Sequence, residues 1–144
     1  MIKHNLFVLW CRLTLELHLD IFMSPDTLEK RLLQFAVRCS HLRRALPTDE
    51  YYDARHVADQ LLRATTHPAF HYPEARSAES KRDFLHKIKV LLKELREAQA
   101  ELRYIYHMQY LENWKIEPLM DEASQLVAIF VATTRKLTEK NRAA

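Results

Sequence analysis

The chain contains no glycine among its 144 residues, and this absence restricts its fold more than any motif does. A protein of this length carries about ten glycines on average. Glycine supplies the left-handed and crowded backbone positions of tight hairpins, phosphate-binding loops and dinucleotide-binding turns. A P-loop, a Rossmann fingerprint and a glycine-rich kinase loop are therefore excluded, and a β-rich fold is disfavoured. The sequence indicates a helical protein.

Length and composition are those of one ordinary globular domain, with 48% hydrophobic and 28% charged residues. The net charge of +3 permits contact with an anionic partner, but it also fits an ordinary solvated surface. Two cysteines, Cys11 and Cys39, have no metal-ligand spacing and indicate a reducing, cytoplasmic environment. Cys39 lies on an apolar helical stripe and is expected to be a small buried hydrophobe.

The first 22 residues do not follow the pattern of the rest. Residues 13–21 alternate between apolar and polar, which is a strand period, but no second strand is available to pair with them. Charged residues interrupt the apolar run, so we expect neither a membrane span nor a signal peptide. We predict an N-terminal extension over residues 1–22 and a bundle domain over 23–144, with the functional start near Met23. The alternative is an apolar arm that docks on the domain or on a neighbouring subunit.

From Leu28 onward, apolar residues recur at alternating spacings of four and three residues, the pattern of helices that pack in a bundle. Asp26, with Glu29 three residues later, predicts the N-cap of the first helix. Pro47 ends this helix because proline lacks the amide hydrogen and disfavours helix in the residue before it.

The second helix is predicted from caps at Thr48 and Asp49 to about Ala64, and prolines interrupt the chain beyond that point. A third helix is expected over about Ser77–Tyr110. A fourth starts near Ile116 and accommodates a proline in its first turn. The predicted core positions are, in chain order, Leu28, Leu32, Phe35, Cys39, Leu42, Leu46; Ala54, Val57, Ala58, Leu61; Phe84, Ile88, Leu91, Leu95, Ala98, Leu102, Ile105; and Leu119, Ala123, Leu126, Phe130, Thr133, Leu137.

Helices joined by short loops pack antiparallel around a common core. We therefore predict an all-α, antiparallel up-and-down four-helix bundle with a non-conforming N-terminal extension.

No arrangement typical of catalysis or metal binding is visible in the sequence. Two Asp-x-x-His pairs, at residues 53–56 and 83–86, are predicted to point away from the core. His67 and His71 have a spacing that suits zinc on a regular helix, but the prolines beside them predict a broken segment with two loop or interface histidines. We expect no catalytic residues, no metal and no cofactor.

A basic stripe follows the third helix opposite its apolar face and is suited to phosphate contact. Three glutamates, Glu94, Glu97 and Glu101, flank it and offer an alternative, a solvated helix neutralised by side-chain pairs. The predicted partner is RNA or DNA. We call this stripe the basic face; its residues are Arg82, Lys89, Lys93, Arg96 and Arg103.

Aromatic residues are concentrated around the break in the second helix and the junction of the third and fourth helices. Part of this set belongs to the core, but a small bundle has little room for all of it. Tyrosine and tryptophan are favoured at protein interfaces, so we predict self-association. The interface candidates are Phe70, Tyr72, Tyr104, Tyr106, Tyr110 and Trp114.

Five stretches in the middle of the chain form a recognisable pattern: DQLLRATT at 59–66, HP at 67–68, YxEA at 72–75, AESKRDFLHK at 78–87 and LLKELRE at 91–97. With these stretches, the chain resembles the family called four helix bundle protein, which includes proteins encoded in intervening sequences of bacterial large-subunit (23S) ribosomal RNA genes. The resemblance spans about Leu28–Leu137 and is specific over residues 60–97. The chain departs from the family pattern at His67, His71 and Pro73.

The resemblance implies a left-handed up-and-down bundle, often assembled as a homopentameric ring, without known catalysis. Related proteins are accessory factors to reverse transcriptases of diversity-generating retroelements, where a basic surface contacts nucleic acid and the polymerase. The resemblance therefore implies a second copy of the chain, nucleic acid and a reverse transcriptase as partners. It transfers no catalytic residue.

Overall fold

The computed structural model describes residues 24–143, and within that range the chain is helical with no strand. The predicted all-α four-helix bundle is confirmed, with successive helices in contact. The predicted extension over residues 1–22, the start at Met23, and Cys11 lie outside the described residues. The elements are α1 Pro25–Ala45, α2 Tyr52–Arg76, α3 Lys81–Met108, a 3-10 turn at Asn113–Lys115, and α4 Glu117–Ala143.

The chain divides into two units, Met1–Arg31 and Leu32–Ala144. In the described part of the first unit, Ser24 caps α1: its Oγ accepts the backbone N–H of Thr27 at 3.2 Å. Pro25 occupies the first helical position, where its missing amide hydrogen is harmless and its fixed φ suits a helix. The prediction that Asp26 is the N-cap is wrong, because Asp26 lies inside the first turn.

The core of the second unit includes most of the apolar positions that the spacing predicted, together with others that it did not, such as Ala36, Ala64 and Ile116. All the predicted core residues are buried except Phe84, Thr133 and Leu137, which are partly exposed. Cys39 has no exposed surface, and its burial raises the pKa of the thiol to about 12. The thiol therefore stays protonated and packs as a small hydrophobe, as predicted.

Side-chain contacts show that α2 and α3 run antiparallel. Asp53 at the start of α2 accepts a hydrogen bond from the hydroxyl of Tyr110, which lies beyond the end of α3. Ten residues further along α2, Arg63 Nη2 lies 3.1 Å from Glu97 Oε2, further back in α3. As residue numbers rise along α2, the numbers of the partners in α3 fall.

Polar pairs also link the other neighbouring helices. Arg43 of α1 donates from Nε to Asp59 Oδ1 of α2 at 3.2 Å. Gln99 Nε2 of α3 donates to Ser124 Oγ of α4 at 2.9 Å. Within residues 24–143, no helix is both long and apolar enough to cross a membrane.

Helix α2 runs through both of its prolines, so the prediction that it ends near Ala64 is wrong. Pro68 and Pro73 lie inside a continuous helix of 25 residues. Each proline leaves a carbonyl one turn earlier without its helical hydrogen bond, at a cost of up to about 3 kcal/mol. Ala69, Tyr72 and Ala75 nevertheless extend the buried stripe past Pro68, and their burial in the core favours the helical path.

The start of α2 also differs from the prediction. Its N-cap is Tyr51, which makes no side-chain capping bond, rather than Thr48 or Asp49. Those two residues instead hold Arg55: its Nε donates to the Thr48 carbonyl at 3.0 Å, and its Nη2 lies 3.9 Å from Asp49 Oδ1. The predicted caps therefore brace the loop rather than the first turn of the helix.

Helix α3 ends without the glycine that such an end commonly uses. Gln109 adopts a left-handed conformation with φ of 52°, the single positive φ among the described residues. Its backbone N–H bonds the Tyr106 carbonyl at 3.3 Å. A left-handed residue after a helix is common, and a non-glycine residue pays a steric penalty there.

The two interruptions in helical hydrogen bonding lead to a stability prediction. Pro73 is exposed in the interior of α2, so Pro73→Ala should restore the hydrogen bond to the Ala69 carbonyl without opening a cavity. We expect the free energy of unfolding to rise by about 1 to 3 kcal/mol in denaturant titrations.

The matched control is Pro118→Ala, since Pro118 is exposed in the first turn of α4, where no amide hydrogen is needed. It should change the stability by less than about 0.5 kcal/mol. Equal effects of the two substitutions would contradict this account of α2.

Candidate nucleic-acid interface

The local structure of α3 places its cations in solvent. Ser80 caps the helix by accepting the Asp83 backbone N–H at 3.1 Å, and Asp83 in the first turn binds Lys87 Nζ at 2.8 Å. Asp83 also complements the positive end of the helix dipole. Along the helix that begins here, the apolar positions face the core, and polar residues occupy the opposite side.

The basic face is exposed along its whole length. All five of its side chains belong to exposed residues. Arg82 and Arg103 lie 21 residues apart, which is about 31 Å along the helix axis. Lys89, Lys93 and Arg96 line a shallow groove of about 490 Å³, the basic groove, together with Glu97. An extended anionic chain would therefore meet several cations in succession.

The glutamates that could neutralise the basic face are directed mainly toward α2. Arg63 of α2 lies between two of them: its Nη1 is 3.6 Å from Glu94 Oε2 and its Nη2 is 3.1 Å from Glu97 Oε2. Within residues 24–143, the basic face has one ion pair, between Lys93 Nζ and Glu97 Oε1 at 3.9 Å. The acidic residues are thus used to join two helices, and most of the basic face keeps its charge.

The inter-helix role of Arg63 was not visible in the sequence, where this residue appeared only within the family-like stretch. Arg63 is 34 residues from Glu97 in the chain. No local spacing connects the two residues, because their pairing depends on the relative rotation of α2 and α3. The same rotation determines which side of α3 remains positive.

Glu101 differs from the other two glutamates because Arg63 forms ion pairs with Glu94 and Glu97 but not with Glu101. Like Glu94 Oε2, Glu101 Oε2 is buried and accepts no hydrogen bond. Burial, reinforced by the negative charge of Glu97, raises the pKa of Glu101 to about 7, although Arg63 opposes the shift. Its carboxyl group is therefore poised between the neutral and the charged form near neutral pH.

The predicted interface aromatics fall into exposed and covered groups. Phe70 and Trp114 are 65% and 67% exposed, and Tyr104 is 43% exposed. Tyr106 and Tyr110 are partly covered. The Tyr110 hydroxyl donates to Asp53, which lowers the pKa of that carboxyl group. Tyr104 and Tyr110 meet at Asp53, but no contact among the described residues joins them to Phe70 or Trp114.

Tyr72 does not belong with the exposed candidates. It is 5% exposed, and its ring packs edge-on against Phe130 of α4 at a centroid distance of 6.0 Å. The prediction that placed it at a surface was wrong, because it assumed that α2 had already ended. In the continuous helix, residue 72 follows residues 65 and 68 on the buried side.

The histidine pair also lies on the continuous helix rather than in a loop. The rings of His67 and His71 are 4.2 Å apart between centroids, and His71 Nδ1 is 2.9 Å from Glu74 Oε2. His67 Nδ1 lies 4.0 Å from Glu94 Oε1. No group of three or more possible metal-ligating side chains is assembled in the part of the chain that the structure describes.

The raised pKa of Glu101 leads to a prediction of how stability depends on pH. The folded-state pKa of about 7 exceeds the ordinary value of 4.5, so the folded chain binds more protons than the unfolded chain between these values. The free energy of unfolding must then fall as pH rises through this window. Glu101→Gln removes this penalty and should stabilise the protein by about 1 to 2 kcal/mol near pH 8, allowing for partial solvent screening.

At about pH 5 this advantage should largely disappear, because Glu101 is then protonated in the folded state. Glu139→Gln is the control, since Glu139 is exposed on α4 beside Arg135 at 3.2 Å. Denaturant titrations at the two pH values provide the measurement. If the effect of Glu101→Gln on stability did not change with pH, the raised pKa of Glu101 in the folded state would be contradicted.

The chain is similar in fold to a solved protein of unknown function from the S23 ribosomal protein family of Bacteroides thetaiotaomicron VPI-5482. The two share 24% sequence identity with a TM-score of 0.66, and the match covers 74% of this chain and 97% of that one. No protein-family model and no curated protein matches the chain. This similarity supports the helical-bundle architecture alone.

Proposed function

We propose that this protein is a non-enzymatic, oligomeric helical scaffold in the cytoplasm that binds nucleic acid, preferentially RNA, through the basic face of α3. One observation carries the proposal: Glu94 and Glu97 turn toward Arg63 of α2. Apart from Lys93, which pairs with Glu97 at 3.9 Å, the cations of the basic face are therefore available to phosphates.

The spacing of the basic face fits a phosphate backbone. Successive cations lie three to seven residues apart, or about 5 to 10 Å along the helix. Each cation that neutralises a phosphate releases condensed counterions, so the affinity depends steeply on salt concentration. A straight row of exposed cations contacts the backbone without reading base edges, which favours recognition by shape.

The family resemblance supports the same proposal and names further partners. A second copy of the chain, in a pentamer, and an RNA-handling enzyme such as a reverse transcriptase are proposed on that basis. The structural neighbour carries the name of a ribosomal protein family, in keeping with a setting in which RNA is present. The proposed role is to present a charged surface rather than to perform a reaction.

Neutralising the centre of the basic face tests the proposal. In Lys89→Gln/Lys93→Gln/Arg96→Gln, the affinity for structured RNA should fall at least tenfold at about 100 mM salt. The slope of log K against log salt should become shallower by about 2 to 3 units, one for each lost phosphate contact. Fluorescence anisotropy across a salt series, with duplex DNA in parallel, measures both quantities.

The matched control removes three positive charges from the exposed end of α4: Lys136→Gln/Lys140→Gln/Arg142→Gln. Its salt slope should stay within about one unit of the wild-type slope. Equal losses in the two triple variants would mean that only net charge matters. Absence of RNA binding at low salt would reject the nucleic-acid function.

A second candidate is a structural or protein-interaction module without a nucleic-acid role. Phe70 and Trp114 favour it, because each leaves about two thirds of a large apolar side chain in water. Aromatic side chains of this kind often anchor protein interfaces. This candidate is compatible with self-association and becomes the preferred function if the basic face proves inert.

Self-association through Phe70 is tested by Phe70→Ser. The proposal predicts that the wild type sediments as an oligomer and that the dissociation constant of the oligomer is at least tenfold higher for the variant. Tyr52→Ser is the control, since Tyr52 is 82% exposed but lies outside the predicted set. A monomeric wild type in analytical ultracentrifugation would contradict the oligomeric part of the proposal.

A further inference from the structure

A second groove lies between the first half of α2 and the last third of α3. It has a volume of about 380 Å³, within the size range of small-ligand sites. Val57 and Ala100 form apolar parts of its wall. It shares no lining residue with the basic groove except Ala100. Its polar lining residues are Asp53, His56, Gln60, Glu101 and Tyr104.

The charge of this groove is negative and lacks a paired cation. Glu101 Oε2 is buried without a hydrogen-bond donor. Asp53 is held by the hydroxyl groups of Tyr110 and Tyr104. Across residues 24–143, neither carboxylate forms an ion pair with lysine or arginine, and the basic side chain that lines the groove is His56. The nearby Arg63 is engaged by the glutamates one and two turns away from Glu101, so it does not fill this role.

The groove also presents an aromatic wall. Tyr104 lines it and remains 43% exposed. The face of an aromatic ring attracts cations, and a carboxylate strengthens a hydrogen bond from a charged donor. Anions are disfavoured by the two carboxylates. The apolar surface between them suits a ligand that carries a short hydrocarbon stem.

We propose that this groove binds a small organic cation, an alkylguanidinium or alkylammonium group, with Glu101 as its charge partner and the Tyr104 ring against its face. The cation offsets the negative charge of the Glu101 side chain, which lines the groove and whose Oε2 has no hydrogen-bond donor of its own. The hydrocarbon stem lies along Val57 and Ala100. This site is separate from the proposed nucleic-acid function and carries the opposite charge.

Calorimetric titration of the full chain with n-butylguanidinium chloride tests the site. We expect saturable binding with one equivalent per chain, and at least tenfold weaker binding in Glu101→Gln. The exposed control Glu139→Gln should bind as the wild type does. n-Butanol and sodium butyrate are the neutral and anionic probes with similar stems, and neither should bind measurably.

A second pair of variants separates ring contact from fold stability. Tyr104→Phe keeps the aromatic face and should retain binding within about threefold, whereas Tyr104→Leu should weaken it about fivefold or more. Circular dichroism of each variant checks that the helices are intact. Equal affinities of the Phe and Leu variants would overturn the cation–π contact.

The proposal is overturned if n-butylguanidinium does not saturate the wild type, if n-butanol binds equally well, or if Glu101→Gln binds unchanged. Two sources of the cation are distinguished by a blocked Gly-Arg-Gly tripeptide. Tighter binding of the peptide than of n-butylguanidinium identifies the side chain of a protein partner. Weaker binding of the peptide identifies a free small molecule. Loss of RNA binding in the basic-face variants leaves these outcomes unchanged.

Discussion

Burial of the apolar side of α3 is the constraint on which the other features depend. Helix α3 packs against both α2 and α4, and its positions Leu95, Ala98, Leu102 and Ile105 have no exposed surface. Burial of these side chains is worth about 1.5 to 3 kcal/mol for each large residue. Because this face must point inward, the rotation of α3 is fixed, and so are the directions of its charged residues.

That rotation separates charge by sign across a single helix. Glu94, Glu97 and Glu101 lie on the side toward α2, where Arg63 pairs with Glu94 and Glu97 and Glu101 forms no such pair. The cations lie on the side toward solvent. A salt bridge at the surface contributes little stability. The main effect of Arg63 is therefore on the positions of the Glu94 and Glu97 carboxylates, which it pairs with on the α2 side of the helix. The two candidate sites are consequences of this one arrangement.

The fold could be predicted well from periodicity, whereas α2 shows where local rules fail. The predicted core positions of α1, α3 and α4 follow from spacing within one helix, and nearly all of them are buried as predicted. Pro68 and Pro73 predicted a break because proline weakens a helix locally. The structure keeps the helix because Ala69, Tyr72 and Ala75 gain burial against other helices, a contribution that no local pattern contains.

The sequence by itself determined the helical class, most of the core positions and the exposure of the basic residues, because each of these follows from composition and from the 3.6-residue period. It could not determine that Arg63 reaches Glu94 and Glu97, that Asp53 meets Tyr110, or that Glu101 is left unsatisfied in a groove. Those pairs are separated by 31 to 57 residues. Only the packing of one helix against another brings them together, since their distance depends on the relative rotation and offset of two complete helices.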